Sequence, residues 1–292
     1  AALNGDRRIN FAQAMNEFHG MLAQEYDDPL FDVQYGQYKE AVVKLHSFTR
    51  GENVRVGVID SMVDIDHPDL KGQVKNSYWY VNNNGIDDQL HGTAVTGVIA
   101  AAVDNKEGVV GLAPNASLYV YGACSNIDKR TRCTSFSLAK ALQQAIENKL
   151  DVLNVSLAGP EDPLLKALIK EALRQSMMVI AASNVDDDQL NFPASLEGVH
   201  AVGESPALEF WFSRNEQLST QAGGGYRFFY GTSIASAGVT GVATLMRSFW
   251  SAALADAALG LLLDKGCIES TSQRGVEFIQ KLQLSHCSDG AH

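Results

Sequence analysis

The chain has 292 residues, 46% apolar and 20% charged, which is enough for one large α/β core. A formal net charge of −11 argues against binding to nucleic acid or to anionic membranes. No apolar run approaches the ~20 residues of a membrane-spanning helix, and no internal repeat or low-complexity tract is present.

Arg8, Phe11, Met15, Phe18 and Leu22 recur near helical spacing. They predict a helix over about 7–25, ended by Asp27-Asp28-Pro29. Residues 1–32 are therefore expected to form a helical extension ahead of a main unit over 33–292. Its role is either a packing arm or a segment regulating access to a cleft. A helix over about 37–46 comes next. Asn53 to Asp60 is a buried parallel strand ending in a carboxylate, and Leu90 to Ala102 a buried helix with His91 at its start. Strands are predicted over 117–121, 152–156 and 177–184, with a helix over 135–148. The glycine run Gly223-Gly224-Gly225 lacks the Lys-Ser/Thr sequel of a phosphate loop and predicts a flexible connection. From Thr232 onwards small residues dominate an apolar run to Met246, predicting a helix packed on all sides and capped by Thr232 or Ser233. One or two further helices complete the tail.

Three polar side chains stand at the edges of these apolar elements: Asp60 at a strand end, His91 and Ser233 at helix starts. Open α/β sheets collect their sites at such positions. A serine there meets free backbone N–H groups and the positive end of the helix dipole. Taken singly, each residue has an ordinary structural role: a turn carboxylate, a buried histidine, a helix cap. Together and in this order they are the parts of a nucleophilic triad.

The segments around them resemble the subtilisin-like serine proteases, or subtilases. The resemblance rests on Val58-Ile59-Asp60-Ser61 with His67-Pro68-Asp69-Leu70, on His91-Gly92-Thr93, and on Gly231-Thr232-Ser233-Ile234-Ala235. Supporting segments are Gly111 to Pro114, Val152 to Leu157, Val179 to Asn184 and Phe192 to Ala194. All stand in the family's order over about residues 33–285. The resemblance implies a three-layer fold with a mostly parallel central sheet flanked by helices. It implies a serine endopeptidase in which Asp60 orients His91, His91 takes the proton of Ser233, and Asn184 stabilises the tetrahedral oxyanion. Ser156, Leu157, Ala158 and Gly159 are then expected to pair with a peptide substrate as an added strand. Asp69 falls where many subtilases ligate calcium, and Asp104 with neighbouring carbonyls adds oxygens suited to that hard ion. The expected partners are a protein or peptide substrate and a prodomain or inhibitor. The chemistry itself calls for no cofactor.

Departures from the family pattern at Ala94, Ser183 and Ala237 motivate a rival from another class, a catalytically weak peptide-binding pseudoprotease, and the methyl of Ala158, where the family has glycine, narrows the expected pocket. The acidic run Asp186-Asp187-Asp188 is either a solvated face or a reason to prefer Lys or Arg at the cleavage position. Four cysteines, Cys124 with Cys133 and Cys267 with Cys287, suit two local disulfides and an extracytoplasmic location; the alternative is four free thiols in a reducing compartment.

Overall fold

Apolar residues alternate along the central strands, and the alternation divides the interior into two cores. The computed structural model describes residues 26–82, 85–127, 130–183, 191–203 and 216–265. Among these, seven strands form the main sheet: β1 (Arg55–Ser61), β2 (Val74–Trp79), β3 (Ser117–Ile127), β4 (Arg130–Cys133), β5 (Val152–Val155), β6 (Met178–Ala182) and β7 (Val199–Val202). Their order is β2-β3-β1-β5-β6-β7, all parallel, with β4 running antiparallel along β3. Val56, Val58, Leu118, Val120, Val152, Met178 and Ile180 point to one face. Their neighbours Ile59, Tyr119, Tyr121, Leu153, Val155, Val179 and Ala181 point to the other.

Helices cover both faces. α1 (Phe31–Tyr35) and α2 (Lys39–His46) precede the sheet, and α3 (Leu90–Ala100) follows β2. α4 (Ser135–Glu147) and α5 (Pro163–Arg174) cover the second core with Leu138, Leu142, Leu165 and Ile169. Thr134 starts α4 with a capping box, and Asp162 caps α5 ahead of Pro163. On the first face, α3 lies against the long helix α6 (Thr232–Phe249), joined by α7 (Ala252–Lys265). Every residue from Gly92 to Ala100 and from Ile234 to Met246 is buried, as the small side chains predict. Each buried valine, leucine or isoleucine on these helices contributes about 1.5–3 kcal/mol of transfer free energy. The fold is thus the expected three-layer α/β arrangement.

Two connections take a more definite form than the sequence pattern describes, one of them closed by the expected disulfide. The glycine run is a tight turn between β8 (Gln217–Gln221) and β9 (Gly225–Phe229), an antiparallel pair. Gly223 and Gly224 have φ of 94° and 85°, the left-handed conformation such a turn requires. The surface excursion between Cys124 and Cys133 is likewise a hairpin, with the two cysteines opposite one another and disulfide-bonded. The predicted helix over 7–25 lies outside the described residues, as do Cys267 and Cys287.

α2 also buries His46, 6% exposed, between two partners. Its Nε2 lies 2.8 Å from the Leu112 carbonyl, so this nitrogen carries the proton. Nδ1 then accepts from the Tyr26 hydroxyl at 2.6 Å. Burial holds the ring neutral and lowers its pKa to about 4; Arg50 adds to the shift, while the Leu112 hydrogen bond and Glu52 oppose it. A ring held neutral stabilises the fold above the unfolded pKa near 6.5. That contribution is lost as pH falls towards 4 and amounts to about 3 kcal/mol. Urea unfolding at pH 7 and pH 4.5 is expected to show this loss, and His46→Gln to remove most of it.

Candidate active site

Strand order reverses around β1, with β3 on one side and β5 on the other, and the crevice beyond their carboxyl ends is the place where such sheets hold ligands. Asp60 is the penultimate residue of β1. His91 and Ser233 are each the second residue of a helix, α3 and α6. Gly92 brings α3 to the strand end. A Cβ there would stand 2.6 Å from the Ser61 carbonyl and 2.7 Å from that of Met62, so only glycine permits the approach. Its N–H donates to Ser61 Oγ at 2.9 Å, and Thr93 Oγ1 accepts from the Asp64 N–H at 2.9 Å. From the other side β8 holds the helix through its hydroxyls: Ser219 donates to the Ala94 carbonyl and Thr220 to that of Thr93, both at 2.8 Å.

These contacts deliver His91 to Asp60. Nδ1 lies 2.7 Å from Asp60 Oδ1, which also accepts from the Ser61 N–H at 2.6 Å. The Asp60 side chain is 2% exposed and that of His91 33%. The second carboxylate oxygen, Oδ2, is buried with no hydrogen-bond partner among the described residues. A buried carboxylate favours the tautomer with its proton on Nδ1, which frees Nε2 to act as a base. The Asp60 charge raises the His91 pKa against the opposing effect of burial, and their hydrogen bond adds to the rise. A raised imidazole pKa stabilises the fold below the unfolded value near 6.5, and this contribution is lost as pH climbs through the folded value.

Ser233 is not a cap. Gly231, with φ of 111°, occupies the cap position of α6, and no side chain caps the helix. The Ser233 hydroxyl instead donates to the Ser156 carbonyl at 3.3 Å. A buried polar cluster beneath it joins β5 to α6. The Asn154 Nδ2 donates to Thr240 Oγ1 at 2.8 Å and to Ser236 Oγ at 3.2 Å, while its Oδ1 accepts from Ser156 Oγ at 2.6 Å. Ser236 Oγ in turn donates to the Ser233 carbonyl at 2.9 Å. The sequence pattern did not single out Asn154, Ser236 or Thr240. The available signal was a polar residue inside the apolar run Val152 to Val155.

His91 and Ser233 open on one cavity of about 570 Å³, together with Ser156, Leu157, Ala158 and Gly159. The lining also includes Thr131, Arg132 and Cys133 of β4. The Gly159 N–H is already committed to the Phe192 carbonyl at 2.9 Å, so an added strand has the remaining backbone of this segment to pair with. Asn184 and the acidic run Asp186 to Asp188 lie outside the described residues. Asp69 is fully buried: Oδ1 accepts from Asn105 Nδ2 at 2.9 Å and Oδ2 from the Val109 N–H at 2.8 Å. Asn105 presents its amide nitrogen to Asp69. Asp104 clusters instead with Asp27 and Asp28.

A family model described as the subtilase family matches residues 51–207. An intracellular serine protease of Paenibacillus polymyxa is 35% identical over 230 residues, covering 70% of this chain and 69% of that protein. The major intracellular serine protease of Bacillus subtilis is 30% identical over 226 residues, 68% of this chain and 70% of that protein. Subtilisin E of Bacillus subtilis is 34% identical over 249 residues, 78% of this chain and 63% of that protein. Among solved structures, the prenylagaramide maturation protease PagA aligns with a TM-score of 0.60 at 28% identity, covering 71% of this chain and 79% of that one.

Proposed function

Since this chain belongs to the subtilase family of serine proteases, we propose that it is an endopeptidase whose nucleophile is Ser233, with His91 as general base and Asp60 as its orienting carboxylate. The observation that carries this reading is the 2.7 Å hydrogen bond from His91 Nδ1 to the buried Asp60, at the rim of the cavity that Ser233 also lines. With Nδ1–H committed to Asp60, Nε2 takes the hydroxyl proton once the Ser233 side chain turns from the Ser156 carbonyl towards the imidazole. Oγ attacks the scissile carbonyl, and the N-terminal N–H groups of α6 support the developing oxyanion together with Asn184. The imidazolium then protonates the leaving amine, and water hydrolyses the acyl-enzyme by the same proton route in reverse.

The substrate is a peptide or protein segment laid along Ser156 to Gly159, and a prodomain or protein inhibitor would occupy the same groove. The Cys124–Cys133 disulfide supports an oxidising, extracytoplasmic setting. Two of the relatives above are nevertheless named intracellular proteases. No described helix is long and apolar enough to cross a membrane.

The resting contact between Ser233 and the Ser156 carbonyl is the one observation that favours the rival, a peptide binder with a disengaged nucleophile. A fluorophosphonate probe separates the two. Labelling that disappears in Ser233→Ala is expected of the protease. Peptide binding without labelling of the native protein would establish the rival.

A further inference from the structure

Among the described residues, Arg132, Glu161 and Asp162 are the side chains of fixed charge that line the cavity holding His91 and Ser233. The two carboxylates are committed to the protein. Glu161 Oε1 accepts from Lys166 Nζ at 3.0 Å. Asp162 Oδ1 accepts from the Leu164 and Leu165 N–H groups, at 2.9 and 3.1 Å, and so caps α5. A hydrogen bond with Ser135, the first residue of α4, is the chief reason its carboxyl stays below the usual range. Arg132 is exposed, and among the described residues no carboxylate lies within ion-pair distance of its guanidinium. The cation is therefore the one charge of this cavity still open to a ligand.

Arg132 also stands on a stiff element. It pairs with Ser125 across the β3–β4 hairpin, next to the Cys124–Cys133 disulfide. The buried Asp88 carboxylate accepts from the Asn126 N–H and ties the same hairpin to the segment ahead of α3. A guanidinium whose backbone is fixed beforehand loses less freedom when it pairs with a carboxylate, and its planar fork matches the two oxygens. The start of α4 adds partial positive charge, since Ser135 lines the cavity too.

We propose that Arg132 is a specificity-determining residue that selects peptides carrying glutamate or aspartate close to the scissile bond. This rests on the protease reading above. A peptide laid along Ser156 to Gly159 enters the cavity that Arg132 lines, and its alternate side chains stand out of the extended backbone. A carboxylate among them gains a charge-assisted hydrogen bond, a glutamine keeps only a neutral one, and a lysine meets a like charge. The acidic run Asp186 to Asp188 suggests the opposite preference, so the two readings differ in sign.

The test uses fluorogenic peptides identical except for Glu, Gln or Lys placed in turn at each position flanking the cleaved bond. At one position kcat/KM is expected to favour Glu over Gln about five- to tenfold, with Lys poorer than Gln. Arg132→Gln should bring the Glu-to-Gln ratio close to one, Arg132→Lys should retain a preference for Glu, and Arg132→Glu should reverse it towards Lys. A melting temperature near that of the parent checks that each variant is folded. The same peptides are titrated against Ser233→Ala, with and without Arg132→Gln, and the affinity ratios should follow the same pattern. This arm reports on Arg132 even if the native protein cleaves nothing, a result that would count against the protease reading alone. Equal values for Glu and Gln at every position, a preference for Lys throughout, or a Glu preference unmoved by Arg132→Gln would overturn the proposal. A protein that neither cleaves nor binds the peptides would overturn it too.

Discussion

Replacing Asp60 with asparagine is expected to leave the protein folded and to lower kcat for peptide hydrolysis by about four orders of magnitude, as the same change does in another Ser-His-Asp protease. The reason lies in what surrounds the carboxylate. Oδ1 receives two N–H groups, from His91 and from Ser61, so an asparagine must keep its oxygen there or oppose donors with donors. Its NH2 group would then occupy the Oδ2 position, where the described residues supply no acceptor. If it turns over instead, the amide donates to His91 Nδ1 and forces the proton onto Nε2, which ceases to be a base. Both orientations also remove the negative charge that stabilises the imidazolium in the transition state.

The pH profile adds an independent check on the same substitution. In the native protein kcat/KM should fall on the acid side as pH drops through the raised His91 value, since only the neutral ring accepts a proton. In Asp60→Asn the remaining activity should keep its acid limb at lower pH, because the chief cause of the raised pKa is gone. A decrease in kcat of less than tenfold, with the acid limb unmoved, would mean that Asp60 neither orients nor charges the imidazole.

The placement of Asp60, His91 and Ser233 was legible because each is a polar residue at the edge of an apolar run, where a strand ends or a helix begins. Gly92 could be read in the same way: it follows the histidine in a run of small residues, and the structure puts its α-carbon against the Ser61 and Met62 carbonyls. What escaped the sequence pattern was polar structure in apolar surroundings. β8 reads Gln-Leu-Ser-Thr-Gln and shows little hydrophobic alternation, yet Ser219 and Thr220 are fully buried because their hydroxyls donate to carbonyls of α3. Side-chain hydrogen bonds across 125 or more residues leave no periodic trace. α5 is a different case. Asp162-Pro163 at its start and Leu165, Ile169 and Ala172 on one face are an ordinary helix signal that was present and unused.

Asn154→Ala is expected to give the largest loss of stability of any single change near the site, about 2–4 kcal/mol. The side chain is fully buried and is the hub through which β5 holds the start of α6. Truncation opens a cavity and removes both the acceptor for Ser156 Oγ and the donor for Thr240 Oγ1. The Ser156 hydroxyl can turn to Ser236 Oγ at 2.8 Å or the Ser233 carbonyl at 3.3 Å, so the cost lies in the cavity and in the Thr240 and Ser236 oxygens that lose their N–H donor. Ser156→Ala opens almost no cavity and leaves the Asn154–Thr240 bond in place but strands Asn154 Oδ1, so its cost should fall in the lower part of about 1–3 kcal/mol. Urea unfolding of both substitutions in a Ser233→Ala background measures the difference without self-digestion. Catalysis should suffer as well, because Ser236 ties this cluster to the Ser233 carbonyl. A displacement of Ser233 by even 1 Å would cost on the order of a hundredfold in rate. If Asn154→Ala unfolds within 1 kcal/mol of its parent, the cluster is not what seats the nucleophile, and the contacts between α3 and α6 must do so instead.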